Sequence, residues 1–241
     1  MATIKTTGIV LRRRNYGEAD RILDIFTPGL GKISAIAKGS RRPKSRLAGH
    51  IEQFSLTNFL LAEGRIWYIV TSAETEEHFG LDQSLEFIES VSYLTRLTDR
   101  FVPREEQSAE IYNLLLSSLR QLSGGKVGLL LRQFEWQLML KVGFQPELRF
   151  CSHCSGQLDS TALGLCPTTG GALCPVCLRA EPIHVPIQPN TLKILRLFER
   201  APIQLSAKIQ GNQTVNQELE RVTKAFMESI LESSVEPKLV H

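Results

Sequence analysis

Ile22-Leu23-Asp24-Ile25-Phe26-Thr27-Pro28-Gly29-Leu30-Gly31-Lys32-Ile33-Ser34-Ala35-Ile36-Ala37 reads as two short β-strands around a reversal. Branched and aromatic side chains fill Ile22 to Phe26 and Ile33 to Ala37, and Pro28-Gly29 supplies turn residues between them. The pattern repeats on both sides. Ile4 to Leu11 precedes it; Phe54 to Leu61 and Ile66 to Val70 follow, with Glu63-Gly64 as a further turn. Five short strands in about 75 residues predict a small barrel. The count fits an OB-fold, the five-stranded Greek-key barrel that often holds oligonucleotides, and it fits an SH3-like barrel as well.

Beyond Gly80 the period lengthens. Leu85, Ile88, Val91, Leu94, Leu97 and Phe101 recur every three or four residues until Pro103 breaks the run, as in an amphipathic helix. Ile111 to Leu122 and Leu129 to Val142 predict two more helices, separated by Ser123-Gly124-Gly125. Glu105-Glu106 reads as a solvated first helical turn after Pro103. Leu192, Leu195 and Phe198, then Val215, Leu219, Val222, Phe226 and Ile230, repeat the helical spacing and predict completion of one bundle, with a frayed tail from Ser233. The expected architecture is α+β and multidomain: an OB-fold barrel over 1–80, and a C-terminal helical bundle over 81–241 with a four-cysteine module inserted at about 149–183.

Composition sets the class. Of 241 residues, 42% are hydrophobic and 22% charged, which argues against wholesale disorder. No apolar run approaches the roughly 18 residues of a membrane span, and Arg12-Arg13-Arg14 stands where a signal peptide needs an apolar core. These features predict a cytoplasmic protein with no membrane partner. The formal net charge is only +3, yet residues 1 to 50 hold eleven Lys or Arg against Glu18, Asp20 and Asp24. The rest of the chain is therefore net negative, and the positive field belongs to one end. Lys38-Gly39-Ser40-Arg41-Arg42-Pro43-Lys44-Ser45-Arg46 places five cations in nine residues, spaced by loop formers. Such a loop can track phosphates, and beside Arg12-Arg13-Arg14 it would form one stripe. A solubilising charged face is the alternative reading. Among the aromatics of the barrel region, Tyr16 is the candidate stacking platform, while Phe54, Phe59, Trp67 and Tyr68 are expected in the core.

Cys151-Ser152-His153-Cys154 and Cys174-Pro175-Val176-Cys177 form C-x2-C-x19-C-x2-C. Each knuckle aims two thiolates at one point, and two together give the tetrahedral sulfur cage that zinc prefers. Two disulfides, or unligated thiols, are the alternatives. Cys166 lacks a partner two residues away and reads as a small buried hydrophobe, with His153 and His184 as bystanders. A closed four-thiolate site leaves no position for water, so one structural Zn2+ would contribute folding energy and no chemistry.

Catalytic templates find no match. His50-Ile51-Glu52 with Cys174-x-x-Cys177 imitates a zinc-deaminase signature, but Leu173 stands where that signature has Pro. Gly29-Leu30-Gly31-Lys32-Ile33-Ser34 imitates a Walker A loop, but Phe26 and Ile33 occupy its required Gly and Ser/Thr positions. There is no G-x-S-x-G and no H-E-x-x-H. A non-enzyme is expected.

The chain resembles the bacterial recombination-mediator family RecO in Glu18-Ala19-Asp20-Arg21-Ile22-Leu23, in Gly31-Lys32-Ile33-Ser34, and most of all in Lys38 through Leu47. The likeness continues in Gly143-Phe144-Gln145-Pro146-Glu147-Leu148 before the first knuckle and in Gly170-Gly171-Ala172-Leu173 before the second. It covers residues 1 to about 180; the C-terminal helices match in length and position only. The resemblance implies an OB-fold, a helical domain and a zinc module that bind single- and double-stranded DNA and anneal complementary strands. It further implies work with RecR, and with RecF in some systems, to load RecA onto DNA coated by the single-stranded-DNA-binding protein SSB, whose acidic C-terminal tail would dock on the helical part. Nucleoid association follows from the same role. Carried over by position, the DNA candidates are Arg12, Arg13, Arg14, Lys32, Lys38, Arg41, Arg42, Lys44 and Arg46; the metal candidates Cys151, Cys154, Cys174 and Cys177 rest on this chain's own cysteine spacing. Two other classes share the charge pattern: an RNA-binding protein, and a protein-binding scaffold.

Overall fold

The computed structural model describes residues 3–80, 84–122, 127–158, 163–209 and 212–233. It divides into two compact units, Met1–Gly125 and Lys126–His241. In the first, β1 (Thr3–Tyr16), β2 (Asp20–Thr27), β3 (Gly31–Ala37), β4 (Ser55–Ala62) and β5 (Tyr68–His78) close a barrel in the order β1-β2-β3-β5-β4. All pairings are antiparallel except β3 with β5, which run parallel at Ala35/Tyr68 and Ile36/Ile69. That Greek-key closure selects the OB-fold over the SH3-like barrel.

β1 runs well past Leu11, because the register shifts between Val10 and Arg12. Leu11 is the extra residue of a bulge, and the bend lets one strand pair with β4 over Thr3–Ile9 and with β2 over Ile9–Tyr16. The bulge also exchanges faces. Val10 points into the barrel, and without the extra residue Arg12 and Arg14 would follow it inward. Instead both are exposed. Val10, Leu23, Ile25, Ile33, Phe59, Leu61 and Val70 fill the interior.

α1 (Leu85–Phe101) and α2 (Ala109–Gln121) start on the caps Ser84 and Ser108, whose side chains accept from the amides of Phe87 and Ile111. They pack on each other and on β1 and β2, with Tyr112 edge-on to Phe26 at 5.8 Å. The buried stripe of α1 includes Thr95 and Thr98, whose hydroxyls donate to the carbonyls of Val91 and Leu94. Leu85, expected on that stripe, is exposed.

Glu105-Glu106 departs from its expected place in a helix. The Glu105 amide donates to the Lys32 carbonyl at 3.1 Å, so this segment docks along β3 and the helix starts only after Ser108. Gly31 permits the docking: its φ is +67°, and a Cβ there would lie 2.3 Å from the Glu106 carbonyl oxygen.

In the second unit α3 (Val127–Lys141), α5 (Pro189–Phe198) and α6 (Gln213–Ser233) pack around Phe134, Trp136, Phe198 and Phe226. Between α3 and α5 lie β6 (Leu163–Cys166), β7 (Gly171–Leu173), α4 (Pro175–Ala180) and β8 (Val185–Ile187), the strands forming one sheet in the order β7-β6-β8. The division by contacts thus falls at 125/126, while the change from strands to helices falls near residue 80. Ser123-Gly124-Gly125 and the tail from residue 234 lie outside the described residues. No helix among the described residues is long and apolar enough to cross a membrane.

Candidate nucleic-acid interface and metal centre

The basic loop leaves β3 at Lys38 and is tied at once to the β1–β2 turn. Asp20 accepts from the Gly39 amide at 2.7 Å, and the Arg41 amide donates to the Ala19 carbonyl at 2.9 Å. The Arg41 guanidinium donates to the Gly17 carbonyl at 3.1 Å. Turns from Gly39 to Arg42 and from Arg42 to Ser45 hold the loop, with Lys38, Arg41, Arg42, Lys44 and Arg46 exposed. Residues about twenty apart in sequence therefore meet at one end of the barrel.

Arg12-Arg13-Arg14 divides between two faces, as strand alternation requires. Arg13 bonds Glu52, which also stands 3.9 Å from Arg21. Arg21 is held below its ordinary pKa by burial and by the fields of Arg13 and Arg41, against Glu52. One carboxylate thus faces cations from β1 and β2, with the loop's Arg41 in the same field. Arg12 and Arg14 lie on the outer face, 3.6 Å from Asp99 and 3.5 Å from the buried Asp24. Asp24 also accepts from Ser34 at 2.7 Å and from Arg104 at 3.4 Å. Beside this row Tyr16, 47% exposed, meets Trp67 edge-on at 5.2 Å. Trp67 is half-buried, whereas Phe59 is in the core as expected.

Lys32 is the exception among the DNA candidates. It is buried, with Nζ 3.0 Å from Asp99 Oδ1 and donating to the Asp99 carbonyl. Its ammonium joins β3 to α1 and is not presented to solvent. Arg21 and Arg104 stand beside these cations without having been named as candidates from the sequence, and Trp67, expected in the core, is half-buried next to Tyr16. Arg104 carried no local signal, because it lies seventy residues from the Ser34 hydroxyl to which it donates at 2.6 Å.

The four knuckle thiols converge. Sγ atoms of Cys151, Cys154, Cys174 and Cys177 all lie within 4.8 Å of one another, with Cys154 and Cys174 at 3.9 Å. A disulfide needs about 2.05 Å, and all five cysteines are free. Sulfurs around one tetrahedral zinc sit roughly 3.8 Å apart, given Zn–S bonds of about 2.3 Å. The donor set therefore fits zinc. Chain geometry builds it: Ser155, at φ +58°, donates to the Cys151 carbonyl at 2.8 Å and turns the first knuckle, while Cys174 caps α4. Glu147 and Ser152 pair with Gly170 and Ala172 and draw the knuckles together.

Thiol chemistry agrees. Burial pushes the Cys151 thiol up, but the backbone amides of Cys154, Cys174 and His153 outweigh it and bring it to about 6. The Cys177 amide lowers Cys174, whereas desolvation and the neighbouring sulfurs push Cys177 up to about 12. Four sulfurs this close could all be ionised together only with a cation between them. Cys166 stays apart, fully buried against Thr168, and His184 Nδ1 bonds the Glu181 carbonyl. His50 of the deaminase-like triplet takes the Thr75 amide, and Glu52 pairs with arginines.

Residues 1–79 match the family model described as Recombination protein O N terminal, and residues 84–237 match Recombination protein O C terminal. A protein named DNA repair protein RecO from Roseiflexus sp. is 36% identical over 230 residues, covering 95% of this chain and 81% of the relative. Proteins of the same name from Dehalococcoides mccartyi strain CBDB1 and Rubrobacter xylanophilus are 35% and 34% identical, covering 97% and 94% of this chain and 92% of each relative. With an OB barrel, a helical unit and a four-cysteine cluster that fits zinc, all along a chain matched at both ends, this protein belongs to the RecO family of DNA repair and recombination proteins.

Proposed function

We propose that this chain binds single- and double-stranded DNA, anneals complementary strands and, with RecR and in some systems RecF, helps load RecA onto SSB-coated DNA. The observation that supports this reading most is the tie between the β1–β2 turn and the loop Lys38–Arg46, which brings exposed cations from separate segments to one end of an OB barrel. Annealing needs no catalytic group. A cationic surface that neutralises two polyanions lowers their repulsion and raises their encounter rate. Tyr16 and Trp67 give a base somewhere to stack beside the phosphate contacts. In this reading the four cysteines hold one structural Zn2+, the protein turns over no substrate, and it works in the cytoplasm on the nucleoid. The SSB tail and RecR are its protein partners.

The test is annealing of complementary strands precoated with SSB, over a salt series. Because the Arg41 guanidinium also supports the β1–β2 turn, the variant Arg42→Ala/Lys44→Ala/Arg46→Ala leaves Arg41 in place. It should slow annealing at least about tenfold, and the slope of log K against log salt for single strands should fall by about 2 with three phosphate contacts removed. Unchanged annealing by the variant, or preference of the wild-type chain for RNA over DNA of equal length, would overturn the reading.

A further inference from the structure

Residues 51 to 241 carry more acids than bases, yet one groove of the second unit is cationic. A cavity of about 640 Å³ is lined by Arg149 and Phe150, which lead into the first knuckle, and by Lys193, Arg196 and Arg200 of α5 and the turn after it. Positions 193 and 196 fall on one side of α5, away from the buried Leu195 and Phe198, and Arg200 follows in the turn after it. Arg196 is committed: its Nε and Nη2 donate to the Leu148 carbonyl at 2.9 and 2.5 Å, tying α5 to the zinc module. Arg149, Lys193 and Arg200 are exposed. Phe150 is 51% exposed, and its amide and that of Arg149 both donate to Glu147 Oε1, which fixes their backbone. Among the described residues of the lining the one acid is Glu199, whose carboxyl burial pushes up against the pull of Arg149 and Arg196.

Cations around an open aromatic ring are the combination by which proteins hold single strands, phosphate on cation and base on ring. The lining also continues: a second cavity of about 340 Å³ shares Glu199 and Arg200 and adds Lys141. Continuity of that kind suits a linear polyanion better than a compact ligand.

We propose that this groove is a second single-strand site, in which phosphates meet Arg149, Lys193 and Arg200 and a base stacks on Phe150. One strand is then held by the barrel unit and another by the zinc unit of the same chain. The inference rests on the annealing reading above, since annealing requires two strands at once.

The test uses the full zinc-loaded chain and non-complementary oligonucleotides, so that capture is read apart from annealing. Protein saturated with an immobilised strand is titrated with a second, labelled strand. Wild type should capture it; Arg149→Ala/Lys193→Ala/Arg200→Ala should weaken capture at least about tenfold while first-strand affinity stays within about twofold. Phe150→Ala should weaken it about five- to 150-fold. Lys193→Glu, remote in sequence from the cysteines, serves if the triple variant loses its metal, and should act in the same direction. Equal capture by these variants, or no second-strand capture by wild type, would overturn the site. Intact capture with lost affinity for an acidic, aromatic-ended peptide would overturn it too and assign the groove to a protein partner. Capture by wild type without annealing would leave the groove standing and count against the annealing reading alone.

Discussion

In the barrel, Val10, Leu23, Ile25, Phe59 and Leu61 close on one another from several strands, so removal of apolar surface from water holds that structure together. The zinc module has much less to bury. Its strands are three or four residues long, α4 buries none of its side chains, and its apolar interior is a small group that includes Leu163, Leu165 and Leu173. A segment this thin needs a staple, and four thiols within 4.8 Å supply the place for one. Two means of ordering a chain therefore coexist: burial in the barrel and among the helices of the second unit, and a cluster of thiols that fits a metal in the segment between α3 and α5.

The largest expected effect comes from removing the cage. Structural zinc is worth about 10–16 kcal/mol in isolated fingers, so chelation, or Cys151→Ser with Cys174→Ser, should unfold the segment around the knuckles and leave the barrel intact. Hydrogen exchange resolved by peptide would read both regions, and loss of protection in the barrel would break the comparison. The metal should bind more weakly as pH falls. Zinc must displace the proton that Cys177 holds up to about 12, so affinity drops about tenfold per pH unit for each proton displaced, more steeply below about 6 where Cys151 also protonates. A competing chelator at pH 8 and pH 6 measures this.

Next in size is the barrel's own core. Phe59→Ala should cost about 3–5 kcal/mol, read by denaturant unfolding of the first unit, with zinc content unchanged. Smaller still is Lys32→Ala, which removes a buried ammonium from Asp99 and should cost about 1–3 kcal/mol. Because Lys32 faces Asp99 and not solvent, DNA affinity at low salt should change less than about twofold. A larger loss of affinity with stability intact would return Lys32 to the interface.

Legibility followed distance along the chain. Helices α1, α2, α3, α5 and α6 stand where the apolar spacing predicts them, and the five strands were visible because branched residues and turn formers mark strands locally. The cysteine knuckles were equally plain, since two residues between thiols already fix the geometry of each half-site. The extension of β1 was not. The apolar pattern stops at Leu11, and only pairing with Asp20–Asp24 across the bulge carries the strand on from Arg12 to Tyr16. Glu105-Glu106 misled for the same reason, because its amide partner is on β3.

By itself the sequence determined the longer helices, the cores of the barrel strands, the excess of cations in the first fifty residues and the paired spacing of the four clustered cysteines, all properties of near neighbours and of composition. Tertiary structure alone decided which cations are free to act. It buried Lys32 against Asp99, set Arg13 and Arg21 around Glu52, joined Arg41 to Gly17, and brought Arg149 and Phe150 into one groove with α5. Charge is written residue by residue, but the field that a ligand meets depends on which carboxylates and carbonyls the folded path brings within a few ångströms of each cation.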